Sequence, residues 1–438
     1  MRTVLVTGPG GAGRTTVAAA TALAAVRRGR RVLLLSADPL ADLLGTSPDT
    51  SRGADPVEVT PGLWAAGIDS GEHFRTELLT FQEKAATVLE LLGARKLADE
   101  ELTELPGSEQ SALLQALRRA AEGGWDVLVV DLPPLHDALA LLALPEQLRR
   151  YLRRLLPRER QAARALRPMM AQLAGVPMPA QWLYETAARR DAELAAVQAL
   201  IEDRTTTVRL VAEPGPTAAR ALRTARTGLA LYGLRVDTLV PNRILPRDTS
   251  DPWLTTLVAQ QRKCLEEWDE EWGPETSVRE IGHLGRDPQG LDDLGLLDRP
   301  DSGPGDTEGD GAEGTEGDGA DGTEGDGPGD TGGVRPAGGL GAGLDDDAPG
   351  LATLPWRTED RLAEENLLVW CLPLPGAVKS ELSLVRREDE LLLAVGPFRR
   401  IVPLSSALRR CTVTGAALTD GVLRVRFTPD PALWPRTD

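Results

Sequence analysis

The sequence predicts an α/β unit built on a parallel sheet, followed by a small all-β sandwich. Three features of the 438 residues carry this reading. Short β-branched runs alternate with helical stretches over roughly the first 298 residues. An acidic, glycine-rich tract then interrupts every hydrophobic pattern. Beyond it the runs shorten and are separated by turn residues instead of helices.

The first strand is expected over residues 3–7 and the first helix over 15–28, with further strands at 31–35, 126–130, 208–212 and 238–241. Strands separated by helices pair in parallel through right-handed crossovers. Two longer helical insertions are expected, at about 70–122 and 139–201. The tract that follows repeats Gly-Thr-Glu-Gly-Asp-Gly at 314–319 and 322–327. Such a composition buries too little apolar surface to offset backbone ordering, so residues 299–352 read as a disordered acidic linker. Five strands are expected after it, at 367–372, 381–386, 390–395, 412–417 and 422–427, as a separate sandwich domain over 353–438.

Composition narrows the function classes. The formal charge is −17, but 14 acidic residues and one arginine between Asp301 and Gly350 account for −13 of it. The remainder is nearly balanced, which offers no basic footprint for nucleic acid. Cys264, Cys371 and Cys411 are far apart and form no C-x-x-C pair, so neither a disulfide framework nor a structural zinc site is expected. The N-terminus has no signal-peptide core, and charged residues interrupt every apolar stretch before a membrane span is reached. A cytoplasmic protein with no transmembrane segment is expected.

Directly after the first strand comes Gly8-Pro9-Gly10-Gly11-Ala12-Gly13-Arg14-Thr15-Thr16, opening the first helix. Glycines let a backbone fold around phosphates, successive N–H groups and the helix N-terminus hold the anion, and the Thr15 hydroxyl can ligate magnesium. An ordinary Gly-rich turn is the alternative, and the position between strand and helix argues against it. The fold class is therefore an α/β P-loop NTPase domain over 1–298, with helical insertions, joined to an all-β sandwich. ATP and Mg2+ are the expected ligands.

These residues resemble the deviant phosphate loop, G-K-G-G-x-G-K-T-T, of the arsenite-pump and tail-anchored-protein-targeting ATPase family. Two departures stand out. Pro9 replaces the family's signature lysine, and Arg14 replaces the general phosphate-loop lysine. Arg14 keeps the charge on a larger planar fork. Ser36-Ala37-Asp38-Pro39 resembles the S-T-D-P switch, and the resemblance implies that Asp38 positions the attacking water. Residues 63–69 resemble L-x-A-x-x-I-D, and Pro106-Gly107 resembles the start of P-G-x-D-E. Residues 125–131 resemble the hydrophobic run ending in the magnesium-side aspartate, Asp131, which would act through water; a strand-end cap is the plainer reading. The next segment, Leu132-Pro133-Pro134-Leu135-His136-Asp137, keeps a proline and the histidine of D-T-A-P-T-G-H-T but loses its glycine and threonine. A hydrolase built on His136 and Asp137 lacks a nucleophile. Asn242, in Val240-Pro241-Asn242, stands where the family reads adenine; a turn residue is the alternative.

The resemblance implies a nucleotide-dependent protein with a homodimer and a protein client as its partners. Arsenite is not expected, because soft thiolates would have to cluster. Met169, Met170 and Met178 in the second insertion suit either an apolar client surface or an ordinary core. After the tract, Leu372-Pro373-Leu374-Pro375-Gly376 resembles the small-heat-shock-like domain of some bacterial members, which offers a protein-binding edge or simple stabilisation. The intact Asp38, Thr15, Asp131 and Asn242 favour slow ATP hydrolysis. Pro9, Arg14 and the altered switch favour a nucleotide-binding scaffold or sensor.

Overall fold

A computed structural model describes residues 1–46, 55–84, 86, 90, 95–156, 180–273, 276–298, 340, 341, 344 and 356–434. The three methionines of the second insertion and most of the acidic tract lie outside these residues. The first unit runs β1 Arg2–Thr7, α1 Arg14–Val26, β2 Val32–Ser36, α2 Ala41–Leu44, β3 Val57–Thr60, β4 Leu63–Gly67, α3 Ser70–Lys84, α4 Ser108–Ala121, β5 Val127–Asp131, α5 Leu135–Leu155, α6 Ala180–Glu202, β6 Thr206–Ala212, α7 Pro216–Tyr232, β7 Val236–Pro241, α8 Pro252–Trp272, β8 Ser277–Val278 and α9 Gly290–Leu296.

Its strands form one eight-stranded sheet in the order β3-β4-β2-β5-β1-β6-β7-β8. All neighbours are parallel except β3 with β4. The pleat sends alternate residues to opposite faces. Val4 and Val6 of β1 pack with Val32 and Leu34 of β2 and Val129 of β5 against the alanine-rich α1. Leu5, Leu33, Leu128 and Val130 pack on the other face with Leu117 and Leu139 of the helical insertions. Central strands buried on both faces explain the unbroken apolar runs in the sequence.

Three strands of the first unit, β3, β4 and the two-residue β8, were not legible as such. β3 and β4 are joined by Pro61-Gly62, with Gly62 at φ 91°, the left-handed position that a tight turn with proline before glycine requires. That dipeptide is a turn signal, but the runs beside it are short, Val57–Thr60 half-polar and Leu63–Gly67 rich in small residues, and neither announces a strand.

The second unit is β9 Arg357–Arg361, α10 Leu362–Glu365, β10 Leu367–Pro373, β11 Leu382–Arg387, β12 Glu390–Val395, β13 Phe398–Pro403, α11 Ser406–Arg409, β14 Cys411–Thr419 and β15 Val422–Pro429. A four-stranded sheet, β14-β15-β10-β9, faces a three-stranded one, β11-β12-β13. β9 is polar and lies at an edge, and β13 carries two arginines, so neither shows the apolar alternation of a half-buried strand.

The sandwich is not held by a tether alone. Leu393, Val395 and Phe398 belong to the same apolar cluster as Leu139, Leu229 and the sheet. Thr227 donates to Pro375 O at 2.7 Å, Arg150 forks onto both carboxylate oxygens of Glu390 at 2.9 and 2.7 Å, and Arg400 reaches Glu146 at 3.1 Å.

The acidic tract is also anchored at its end. Leu340 and Leu344 are buried beside α1, and the wholly buried Arg209 donates to Leu340 O at 2.7 Å. The Gly341 N–H lies 3.4 Å from Asp298 Oδ1, so the chain leaves the first unit and rejoins it at one place. Limited proteolysis is therefore expected to cut within 301–339 and to leave two fragments that co-elute in size exclusion under native conditions. Separation of the fragments without denaturant would show that the packing between units does not hold them.

Candidate functional site

The motif residues converge at the carboxyl ends of β1, β2, β5 and β7, the crevice where open α/β sheets bind ligands. The loop turns on Gly11 and Gly13, at φ 77° and 86°, in the left-handed region that glycine takes freely, and the Ala12 N–H between them donates to Pro9 O at 3.3 Å. Gly8 is needed for another reason. A Cβ there would lie 1.8 Å from Val211 O on β6, so any side chain would push apart two central strands. Gly10 and Gly11 are exposed at the loop's crest, Ala12 is buried beneath it, and Thr16 lies half-buried in the first turn of α1. The N-cap of α1 is Gly13, with no side-chain cap, which leaves the helix's first N–H groups facing an incoming anion.

Arg14 does not stand free over the loop. Its guanidinium donates to Leu132 O, just past β5, and its charge bears on Asp131. The Thr15 hydroxyl donates to Asp38 Oδ2 at 3.0 Å and keeps its lone pairs for a cation. Asp38 is exposed on the rim, where a carboxylate can meet water.

Asp131 is the buried member, 4% exposed. Its Oδ2 accepts from Ser36 Oγ at 2.9 Å, while Oδ1 is buried with no hydrogen-bond partner. Burial pushes its carboxyl up from 3.8, against the pull of the Thr15 and Ser36 hydroxyls and the Arg14 guanidinium. A buried carboxylate oxygen without a donor is costly, and a hydrated cation is one partner that would satisfy it. The residues therefore fit a magnesium ion held by the Thr15 hydroxyl, with Asp131 acting through its water; this ion needs few protein ligands.

Ser36 was not singled out beforehand as a site residue. It accepts from the Asp38 N–H at 3.0 Å while donating to Asp131, so it couples the two switch strands. Asn242, expected to read adenine, lies against the loop, where its amide donates to Ala12 O at 2.8 Å and a Cβ on Gly13 would meet it at 2.4 Å. It supports the loop directly. Its neighbour Arg243, in the left-handed region at φ 59°, adds a donor to Gly11 O at 3.2 Å. The signal for Arg243 was its place next to Asn242, and no spacing rule marks it out.

Other motif residues fall elsewhere. Gly107, at φ 102°, is the N-cap of α4, far along the chain from the loop, and lines a cavity of about 790 Å3 among the insertion helices. Leu144, Leu148 and Leu152 recur every fourth residue along α5 on its wall, with Phe81 and Leu194 opposite. His136 lies in the first turn of α5, against Phe398 of the sandwich.

A strand-to-helix phosphate loop at the head of a parallel sheet defines a P-loop NTPase. The chain belongs to the anion-transporting ATPase family, whose match spans residues 1–298. Residues 365–427 match the HSP20-like domain found in ArsA. A Streptomyces coelicolor protein is 54% identical over 438 residues, the full length of both chains. A Mycobacterium tuberculosis protein is 31% identical, covering 99% of this chain and 97% of that one. An Aquifex aeolicus protein provisionally named arsenical pump-driving ATPase 1 is 28% identical over 61% of this chain and 68% of its own. Among the described residues no helix is long and apolar enough to cross a membrane.

Proposed function

We propose that the chain binds magnesium-ATP, hydrolyses it slowly, and couples the nucleotide state to a protein partner. The observation that carries this reading is the buried, unpartnered Oδ1 of Asp131, set beside the Thr15 hydroxyl at the mouth of the glycine loop. Magnesium supplies charge neutralisation at the β and γ phosphates. Gly8, Gly10, Gly11, Ala12, Gly13 and Thr16 furnish the backbone cradle. Arg14 brings the one cation within the loop itself, and Asp38 orients the attacking water. Asn242 holds Ala12 and keeps a second amide hydrogen and its oxygen for the adenine edge.

The proposed partners are a second copy of the chain and a protein client. The leucine-lined cavity of the insertion supports a client with apolar side chains. Pro9 withholds the cation that the family resemblance sends toward a partner's nucleotide, so a dimer would rest on other contacts. Arsenite is not proposed as a ligand. Cys264, Cys371 and Cys411 are all buried, and burial pushes each thiol up, away from the thiolate form that binds soft metals.

Arg14 bound to Leu132 O favours one second reading, a nucleotide-binding scaffold without hydrolysis. Titration calorimetry with magnesium-ATP and magnesium-ADP, followed by phosphate release under single-turnover conditions, decides between them. Binding with slow release of phosphate supports the ATPase. Binding without release supports the scaffold, and absence of binding removes both.

A further inference from the structure

The helix that begins at the switch is one of two that the sandwich holds, the other being α7. β5 ends at Asp131, three residues turn the chain, and α5 then runs 21 residues, a rod of about 31 Å at 1.5 Å per residue. A shift of the 131–136 turn therefore moves the first turns of this helix directly and reaches the remainder across the interior Pro145, a natural hinge. His136, Glu146, Arg150 and Arg154 lie along it, the last three at spacings of four on one face. Each touches the second unit. The His136 ring lies 5.9 Å from that of Phe398 and tilted to it by 41°, Glu146 pairs with Arg400, Arg150 forks onto Glu390, and Arg154 reaches Glu388 at 3.2 Å.

Phe398 sits at the head of this row. It is 4% exposed and meets Tyr232 of α7 edge-on at 6.1 Å. Its seat requires the absence of a side chain on α7: a Cβ on Gly228 would lie 2.8 Å from the Phe398 ring and 2.9 Å from Leu139. Behind the ring the packing opens into a cavity of about 520 Å3 between α5, α7 and the β12–β13 hairpin. The contact is thus tight at one end and loose along its length, with charged pairs that can exchange partners; Arg154 already lies 3.6 Å from Glu390 as well as reaching Glu388. Such an interface permits a second seating of the rod.

We infer that the C-terminal sandwich is a clamp on the switch helix, pivoting on Phe398 in the Gly228 notch, so that movement of the 131–136 turn and the seating of the sandwich are one equilibrium. The inference rests on the nucleotide reading proposed above. Phe398 is on this account a positioning residue, delivered to the switch by a different unit of the chain. Coupling of this kind is reciprocal: a ligand that biases the turn must bias the sandwich by the same factor.

Hydrogen exchange on the full chain, with calorimetry in parallel, tests this. In the wild-type protein, magnesium-ATP is expected to change the exchange rate of amides 398–402 roughly ten-fold, within the usual range of allosteric coupling. Phe398→Ala and Gly228→Ala abolish that response and shift the ATP dissociation constant by the same factor, while Phe398→Leu keeps it. A purely structural contact would give equal exchange with and without nucleotide. If Phe398→Ala does not fold, the charge reversal decides: Arg150→Glu and Glu390→Arg singly lose the response and together restore it. Calorimetric binding to the wild type with no change at 398–402 overturns the clamp alone. No calorimetric binding overturns the nucleotide reading, and the clamp with it.

Discussion

Arg14→Lys is expected to raise ATP turnover about 100- to 1,000-fold while changing ATP affinity only a few-fold. Charge neutralisation at the transferring phosphate is the loop's main electrostatic contribution, and a lysine supplies it from a narrow stem that follows the phosphate into the transition state. The arginine here is committed elsewhere, because its guanidinium donates to Leu132 O at the base of the switch. Ground-state attraction survives that arrangement, since the charge remains near the loop. Alignment on the developing charge does not. Removing one oxyanion donor costs about 2.7–4 kcal/mol, which sets the expected range of rates. Single-turnover phosphate release beside calorimetry measures both quantities, and Asp38→Asn is the control that should remove turnover and leave binding. If lysine leaves turnover at background while ATP still binds, the limit lies in Pro9 or in the 131–137 turn, and the scaffold reading gains.

The central sheet was legible because its strands are buried on both faces and therefore read as unbroken apolar runs: Val4 to Val6, Leu33 to Leu35 and Leu128 to Val130 each mark a strand core. The strands that escaped, β3, β4, β8, β9 and β13, are short, edge or half-polar elements whose residues pair through backbone groups that any sequence supplies. The candidate site residues that the structure brings together were legible where a special backbone or charge is required, as at Gly13, Thr15 and Asp131. Ser36 and Arg243 were not, because their contacts depend on how far apart the strand ends finally lie. The same limit applies to the second unit. Nothing in the local pattern of Phe398 or Glu390 says that α5 lies across them, and a glycine in mid-helix at Gly228 acquires its reason only when the ring beside it is seen. Leu340 and Leu344, inside a tract read as linker, illustrate the converse: two leucines among glycines show no periodicity, yet both are buried.

Asp131→Asn is expected to separate stability from function. Burial raises the Asp131 carboxyl above 3.8, so at neutral pH its ionised form is one the fold tolerates at a cost. For an acid with a raised folded-state value the sign is fixed: the cost is present above the folded pKa and relieved below it. An isosteric amide removes the charge at every pH and can still hydrogen-bond Ser36. The variant without nucleotide should therefore be more stable than wild type by about 1 kcal/mol, a rise in Tm of about 2 °C. That gain should begin to shrink as the pH is lowered through the raised Asp131 value and vanish only below 3.8, where the unfolded carboxyl is protonated too. The opposite is expected with ligand. An amide holds a hydrated magnesium ion more weakly than a carboxylate, so magnesium-ATP affinity should fall roughly 100-fold, while ATP binding in excess EDTA should not fall. Thermal scans at two pH values and calorimetry with and without EDTA measure all four quantities. Wild-type affinity for magnesium-ATP in the variant would remove Asp131 from the metal side of the site. A lowered Tm at neutral pH would instead show that the Ser36 contact outweighs the buried charge.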